Sequence, residues 1–272
     1  MPSIQPFSLL SSSTDPGFFR LLFSGEWDAL ARHLSGNYLT TVRDGTEIYL
    51  MNMEAYLTHL TRTLPQATID TLYMVGFASL FAVLFGIVVG MTLYVTQRGG
   101  IYALPGFNRL LGAVINIGRS IPFVVLILLL FPLSRLIVGT SIGRTASIVP
   151  LTIAAIPFMS RVIEAALNEL GRGIIEAAVA AGATPRQIIW RVVLPECAPG
   201  LVAGFTLTII NLITFSAMAG MIGGGGLGHI AHMYGVSRFR TDILVYTIII
   251  LVILVQIIQA IGQMIARRLD KR

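Results

Sequence analysis

Long apolar segments constrain this chain more than any other feature of its sequence. The clearest is Thr71–Gln97, which contains no Asp, Glu, Lys or Arg between Asp70 and Arg98. A helix that crosses the ~30 Å hydrocarbon core of a bilayer needs about 20 largely apolar residues. The chain has segments of this kind at about 71–97, 110–133, 145–167, 200–221 and 243–266, and they predict five spanning helices.

The composition excludes several classes of protein. Of the 272 residues 55% are hydrophobic and 12% charged, with a mean hydropathy of +0.80, which predicts an all-α integral membrane protein rather than a soluble domain. The net charge of +6 is spread over segment ends, so nucleic-acid binding is not expected. The single cysteine, Cys197, excludes an intrachain disulfide. The single lysine, Lys271, excludes the phosphate-binding loop of P-loop ATPases, so we expect neither catalysis nor a bound nucleotide in this chain.

The N-terminal quarter of the chain differs in character from the rest. Residues 1–70 carry four arginines and seven acids, and no segment within them is apolar enough to span a membrane. We therefore expect residues 1–65 to form a polar, amphipathic extension, and residues 66–270 to form the membrane domain.

The basic residues predict one orientation. If the segment between spans three and four lies in the cytoplasm, eleven basic residues fall on that side, and the outer loops between spans hold only four, namely Arg135, Arg144, Arg238 and Arg240. Basic residues are enriched in cytoplasmic loops, so we expect the N-terminus outside and the C-terminus inside an inner membrane. This count places Arg119 and Arg161 at cytoplasmic ends of spans, where they either extend to the interface or orient the neighbouring loop.

The polar segment 171–196 separates spans three and four and reads as two short helices. Glu176 is expected near the start of the first, where the helix dipole favours a carboxylate. Thr184 and Pro185 are expected to cap and begin the second. The segment contains Glu176-Ala177-Ala178, then Gly182, Ala183, Thr184 and Pro185, then Leu194-Pro195.

This spacing resembles the EAA motif, EAA-x3-G-x9-I-x-LP, in the cytoplasmic coupling loop of ATP-binding-cassette (ABC) importer permeases, with Val192 in place of Ile. Further segments resemble the permeases of bacterial methionine importers over about residues 66–268. They are Arg119-Ser120-Ile121-Pro122-Phe123, Val149-Pro150-Leu151-Thr152, Ser216-Ala217-Met218 and Gly225-Gly226-Leu227-Gly228. The resemblance does not extend to the N-terminal extension.

The resemblance implies a type I importer permease with five spans that forms a homodimer around one translocation path. It implies two ATP-binding-cassette subunits, which bind ATP and Mg²⁺ and dock on the coupling loop, and a periplasmic or lipid-anchored binding protein that delivers methionine, as the L or D form. The residues expected to couple to the ATPase are Glu176, Ala177, Ala178, Gly182, Ala183, Thr184, Pro185, Leu194 and Pro195. Met218 corresponds to a residue that closes the path.

The residues leave several alternatives open. The loop also fits an ordinary interfacial helix in a membrane enzyme or scaffold, the same architecture can carry another small amino acid or solute, and Met218 also fits packing in a helix. Prolines at 122, 132, 150 and 157 are expected to break spans two and three. Gly223–Gly228 is expected to be a flexible turn, and His229 with His232 has too few ligands for a metal site.

Overall fold

The part of the chain that the structure describes is built from helices in the order that the apolar segments predict. The computed structural model describes residues 53–237 and 241–270, and within these ranges it has no strand. Its helices are α1 Met53–Thr96, α2 Pro105–Ser120, α3 Phe123–Leu129, α4 Phe131–Val138, α5 Arg144–Asn168, α6 Arg172–Ala180, α7 Pro185–Gln187, α8 Leu194–Ala219, α9 Gly226–Ile230 and α10 Thr241–Leu269. The π-helical segments are Ile188–Val193, Gly220–Gly224 and Ala231–Ser237.

The lengths and hydropathy of these helices fit a multi-pass membrane protein. Among the described residues, four helices are long and apolar enough to cross a bilayer, and the bent pair α2 and α3 makes a fifth if it counts as one span. The four are Thr61–Thr96, Arg144–Asn168, Pro185–Gly224 and Ile243–Leu269. Helix α1 begins at Met53, so residues 53–65, which the sequence assigned to the polar extension, continue into the first span. Residues 1–52 of that extension lie outside the described residues.

The second span is broken into shorter helices, as its prolines predict. Helix α2 ends at Ser120 and α3 turns away from it by 100°. Ile121, between them, is extended (φ −77°, ψ 123°), because a residue before proline avoids the helical region and Pro122 follows. A further boundary falls at Leu130, two residues before Pro132.

The third span, in contrast, continues through its prolines. Helix α5 includes both Pro150 and Pro157 without a break, so the expectation that they interrupt it is wrong. Helices α1, α2 and α8 pack around α5, and Pro150 is itself buried. We attribute the unbroken helix to this tertiary packing, which outweighs the local helix-breaking tendency of proline.

The packing of α1 against α5 forms the centre of the bundle. Gly86 and Gly90, one turn apart on α1, face Met159, Ser160 and Ile163 of α5. A β-carbon at Gly90 would lie 2.6 Å from the carbonyl oxygen of Ser160, so only glycine permits this approach. Such small-x-x-x-small pairs drive helix association in membranes, where the hydrophobic effect between helices is absent.

The end of the bundle that holds the N-terminus of α5 is tied together by polar contacts. Asp70 of α1 pairs with Arg144 of α5, and the Arg144 guanidinium also lies 5.2 Å from the centre of the Tyr73 ring. The Thr71 hydroxyl accepts a hydrogen bond of 2.9 Å from the amide of Leu227, within the glycine-rich stretch. That stretch is largely buried and includes helix α9, so the expected flexible turn is wrong: its glycines permit close packing.

Candidate coupling site

Gly182 ends helix α6 with a specific hydrogen-bonded turn. Its φ of +77° lies in the left-handed region that glycine adopts most readily. The Gly182 amide donates to the carbonyl of Val179 (2.9 Å), and the Ala183 amide donates to the carbonyl of Ala178 (3.0 Å). These two bonds define a Schellman motif, so the glycine of the sequence pattern closes a helix and fixes the direction in which the chain leaves it.

Thr184 starts the second helix two residues later. Its hydroxyl accepts a hydrogen bond of 3.4 Å from the Gln187 amide, and the Gln187 side-chain oxygen accepts one of 2.8 Å from the Thr184 amide. Pro185 occupies the first helical position, where its missing N–H costs nothing. The reciprocal pair is a capping box, so the structure places Thr184 and Pro185 in the local roles that the sequence predicts for them.

The inner face of segment 171–196 packs on the end of α5. Ile188 and Val193 are 2% and 0% exposed and lie in a cluster with Ile163, Leu167 and Leu170. Ile175, Ala178 and Ala183 add to the same cluster. The segment is therefore fixed to the membrane domain through its apolar side.

The opposite face of the segment is exposed and consists mainly of small and apolar residues, with Glu176, Arg186 and Arg191 among them. Trp190 is 66% exposed and Val179 is 58% exposed. The remaining exposed members include Glu176, Ala177, Ala180, Ala181, Gly182, Pro185 and Pro195. Leu194 is half-buried where α8 begins. We call the exposed part of 176–195 the coupling face. Its exposed small and apolar side chains are typical of a surface that a partner covers. It has no nucleophile or acid–base pair.

One expectation about this site is wrong and two residues were missed. Glu176 is the fifth residue of α6, which begins at Arg172, so it lies beyond the first turn where the helix dipole acts. Gln187 was not singled out, although Thr184-x-x-Gln187 is a readable capping signal. The sequence did not predict that Trp190 is exposed, because a large apolar residue is more often buried.

Two cavities flank the base of segment 171–196. One, of about 690 Å³, lies among the ends of α5 and α10 and the start of α8, and Glu169, Arg191, Glu196 and Asp270 are among its lining residues. The other, of about 340 Å³, separates α6 from the end of α1. Gln97 crosses the second region with a hydrogen bond of 2.9 Å to the Asn168 side chain. A cavity thus lies on each side of the base of the segment that carries the coupling face.

Met218 lies near the other end of α8, far from the coupling face. It is half-buried against a cluster that includes Phe123 and Phe215, whose rings stack 4.6 Å apart. Its partial exposure fits both a packed residue and one that faces a path between two protomers.

The comparisons with known proteins bear on all of these residues. A family model described as "Binding-protein-dependent transport system inner membrane component" matches residues 82–272, which is more than half of the chain. The chain belongs to this family. The match includes both the coupling face and Met218.

The most informative relatives are permeases of methionine transport systems. A protein of Vibrio cholerae named "Probable D-methionine transport system permease protein MetI" is 50% identical over 206 residues, which cover 76% of this chain and 92% of the relative. The Bacillus subtilis "Methionine import system permease protein MetP" is 40% identical over 206 residues, with coverage of 76% and 93%. A solved inward-facing conformation of the MetNI methionine ABC transporter superposes with a TM-score of 0.77 at 44% identity, covering 78% of this chain and 98% of that chain.

Two arginines within the membrane domain of this family member have contacts that the sequence did not reveal. Arg161 of α5 donates to Glu164 (2.7 Å) and, across to α2, to the Gly112 carbonyl and the Asn116 side chain (both 2.9 Å). It therefore joins two helices, which is neither extension to the interface nor a contact with the coupling segment. Arg119 lies with its guanidinium carbon 5.8 Å from the centre of the Phe158 ring.

No metal site is present in the part of this family member that the structure describes. His229 and His232 lie on α9 and the π-helical segment after it, and no group of three His, Cys, Asp or Glu side chains in residues 53–237 and 241–270 is placed to hold an ion.

Proposed function

We propose that this chain is the permease subunit of an ATP-driven methionine importer of the bacterial inner membrane. The observation that carries the proposal is the 206-residue match, at 50% identity, to a D-methionine transport permease. The permease is a transport component and not an enzyme; its energy comes from ATP and Mg²⁺ bound by a partner. In this proposal two copies form a homodimer, and a periplasmic or lipid-anchored binding protein delivers L- or D-methionine from outside.

The coupling face is proposed to dock an ATP-binding subunit on each protomer. The residues concerned are Glu176, Ala177, Ala178, Gly182, Ala183, Thr184, Pro185, Leu194 and Pro195. Two features support the role: a surface of small side chains that a groove can approach closely, and an inner side fixed to α5 through Ile188 and Val193. Because the segment is held by this packing, a movement of the partner would be transmitted to α5 and α8 and not absorbed by a flexible loop.

Transport in this proposal consists of switching between two packings of similar free energy. Closure of the ATP-binding subunits favours an outward-open dimer, and hydrolysis restores an inward-open one. Met218 is proposed to narrow the path in the inward-open state. The family relationship supports an orientation with the coupling face in the cytoplasm, the C-terminus inside and the N-terminus outside.

Reconstitution tests the proposal. The permease would be co-expressed with its ATP-binding subunit, placed in proteoliposomes and supplied with the binding protein and labelled L- or D-methionine. We expect ATP-dependent uptake that unlabelled methionine competes for. Preferential uptake of another amino acid would reassign the substrate, and failure to co-purify with an ATP-binding subunit would overturn the coupling role.

A further inference from the structure

Arg119 lies beside the middle of α5, a helix long and apolar enough to cross the bilayer. Its guanidinium carbon is 5.8 Å from the centre of the Phe158 ring. At a rise of 1.5 Å per residue, Phe158 lies about 15 Å along α5 from Asn168 and about 21 Å from Arg144, within about 3 Å of the midpoint of that helix. This depth is the same whichever end of α5 faces the cytoplasm.

The depth corrects the position that the sequence suggested for Arg119. A residue at the cytoplasmic end of a span can extend its charge to the interface, but the middle of a ~30 Å core is about 15 Å from either surface. Arg161, about 5 Å further along α5 than Phe158, also lies within this helix, so nine basic residues instead of eleven support the predicted orientation, against four in the outer loops. The orientation keeps its support, and the charge of Arg119 needs a different explanation.

The surroundings of Arg119 exclude two ordinary explanations for its charge: pairing with a carboxylate of the same protomer, and exposure to lipid. Its side chain is exposed in the protomer, and among the described residues it contacts the Phe158 ring and no carboxylate. Arginine at this depth does not face lipid; it faces the interior of a bundle or a water-filled cavity. The exposed side of α2 at this level is therefore not a lipid-facing side.

The backbone beside Arg119 indicates the same surroundings independently. Helix α2 ends at Ser120, the next residue, and the 100° turn into α3 leaves non-helical backbone at membrane depth. Such backbone is tolerated in a membrane only where protein covers it or where it lines a cavity that holds water. A charged side chain and a broken helix thus coincide at one level of the bundle.

We propose that Arg119 binds the carboxylate of the amino acid as it crosses the membrane. The inference rests on the proposed function and adds a contact within the path. A guanidinium offers a planar pair of donors that matches a carboxylate, and contact with the Phe158 ring helps to hold its plane. Asn116, one turn earlier on α2, accepts from Arg161 through its side-chain oxygen and keeps its amide hydrogens for the substrate.

Protection of a neighbouring cysteine tests the contact. In a Cys197→Ser background, Ser120→Cys would be treated with a charged, membrane-impermeant thiol reagent in the reconstituted importer. We expect reaction, several-fold slower with millimolar L-methionine but unchanged with methioninol, which has an alcohol in place of the carboxylate. Adding Arg119→Gln should remove the protection. Arg109→Gln, an exposed arginine at the opposite end of α2, should leave it intact.

Three outcomes would overturn the proposal. The first is no reaction at Ser120→Cys, which would place this level in lipid or in a dry contact between protomers. The others are equal protection by methioninol and full protection in the Arg119→Gln variant. Uptake gives a second measure, in which Arg119→Gln should lose at least about tenfold and Arg119→Lys less, while the ATP-binding subunit still co-purifies. If the importer carries another amino acid, protection by that amino acid and not by its alcohol supports Arg119 and rejects only the methionine assignment.

Discussion

Gly182 and Thr184 show how single residues set the shape of the coupling face. The first closes α6 in a left-handed turn and the second opens the next helix with a capping box, two residues apart. The sequence predicts the Thr184 cap from local backbone chemistry, whereas it marks Gly182 only as part of the EAA motif, and the structure adds its role in closing the helix. The position of Glu176 within α6 was not predictable in the same way, because nothing in the sequence marks Arg172 as the first residue of the helix.

Substitution of Gly182 separates backbone strain from bulk. Both Gly182→Ala and Gly182→Trp place a β-carbon in the left-handed region, at a cost of about 1–2 kcal/mol. Nothing in the protomer lies within 4 Å of a β-carbon at this position, so both substitutions start from open space and differ in the bulk that they add. We expect Gly182→Trp to abolish co-purification of the ATP-binding subunit and Gly182→Ala to retain it, with both proteins inserted and dimeric. A normal yield of complex from Gly182→Trp would reject the docking role.

The capping box makes a prediction about local stability. Thr184→Ala removes the side-chain acceptor for the Gln187 amide and should cost about 1 kcal/mol, whereas Thr184→Ser keeps the acceptor and should cost less. Hydrogen exchange of the Ile188 amide, which donates to the Thr184 carbonyl, measures the opening of this turn. Equal exchange rates in both variants would show that the turn is held by the buried Ile188 side chain instead.

At the scale of helices, sequence periodicity and length identify the spans, but tertiary packing decides their continuity. The break at Pro122 was expected and occurs, whereas Pro150 and Pro157 lie in an unbroken α5. The sequence contains prolines in both places. The difference depends on what surrounds each of them, since α5 packs against five other helices and α2 is mostly exposed. The Arg161 contacts to Gly112 and Asn116 were also not predictable, because they join residues about 45–49 positions apart.

The α1–α5 contact offers a matched pair of glycines within one helix. Gly90→Ala would force a β-carbon onto the Ser160 carbonyl and the Ile163 side chain, and we expect a loss of about 1–3 kcal/mol. Gly76→Ala meets nothing within 4 Å and should be neutral or stabilise the helix by up to about 1 kcal/mol. Thermal unfolding of the detergent-solubilised dimer, measured for both variants, compares the two. Equal transition temperatures would contradict the close-packing role of Gly90.

At the scale of the whole molecule, the family relationship and the charge distribution favour the same orientation, which accessibility can test. In a Cys197→Ser background, Thr140→Cys lies between α4 and α5 and Arg186→Cys lies on the coupling face, and both positions are exposed. We expect an impermeant thiol reagent to label Thr140→Cys in intact cells and Arg186→Cys only after permeabilisation. The reverse pattern would place the coupling face outside and end the proposal of ATPase docking.

Met218 is a single residue whose proposed role, narrowing the path between two protomers, is a property of the dimer. If it narrows the inward-open path, Met218→Ala should raise passive leak of methionine from proteoliposomes, while Met218→Leu, of similar volume, should not. If Met218 only packs in α8, the alanine variant should instead lose up to about 2 kcal/mol of stability, because the residue is half-buried, with no leak. Leak and unfolding temperature measured on the same preparation distinguish the two.

The run Pro185–Gly224 joins the surface proposed to dock the ATP-binding subunit to the residue proposed to close the path. It includes the π-helical segment Ile188–Val193 and is helical without interruption from Pro185 to Ala219, before the non-helical backbone at Ile222 and Gly223. From Pro185 to Met218 its length is about 50 Å at 1.5 Å per residue. Over that length a tilt of about 5° displaces one end by about 4 Å relative to the other, close to the width of a methylene chain. A small rotation imposed at one membrane surface thus becomes an opening wide enough to matter deep in the bilayer, carried by one continuous run of helix.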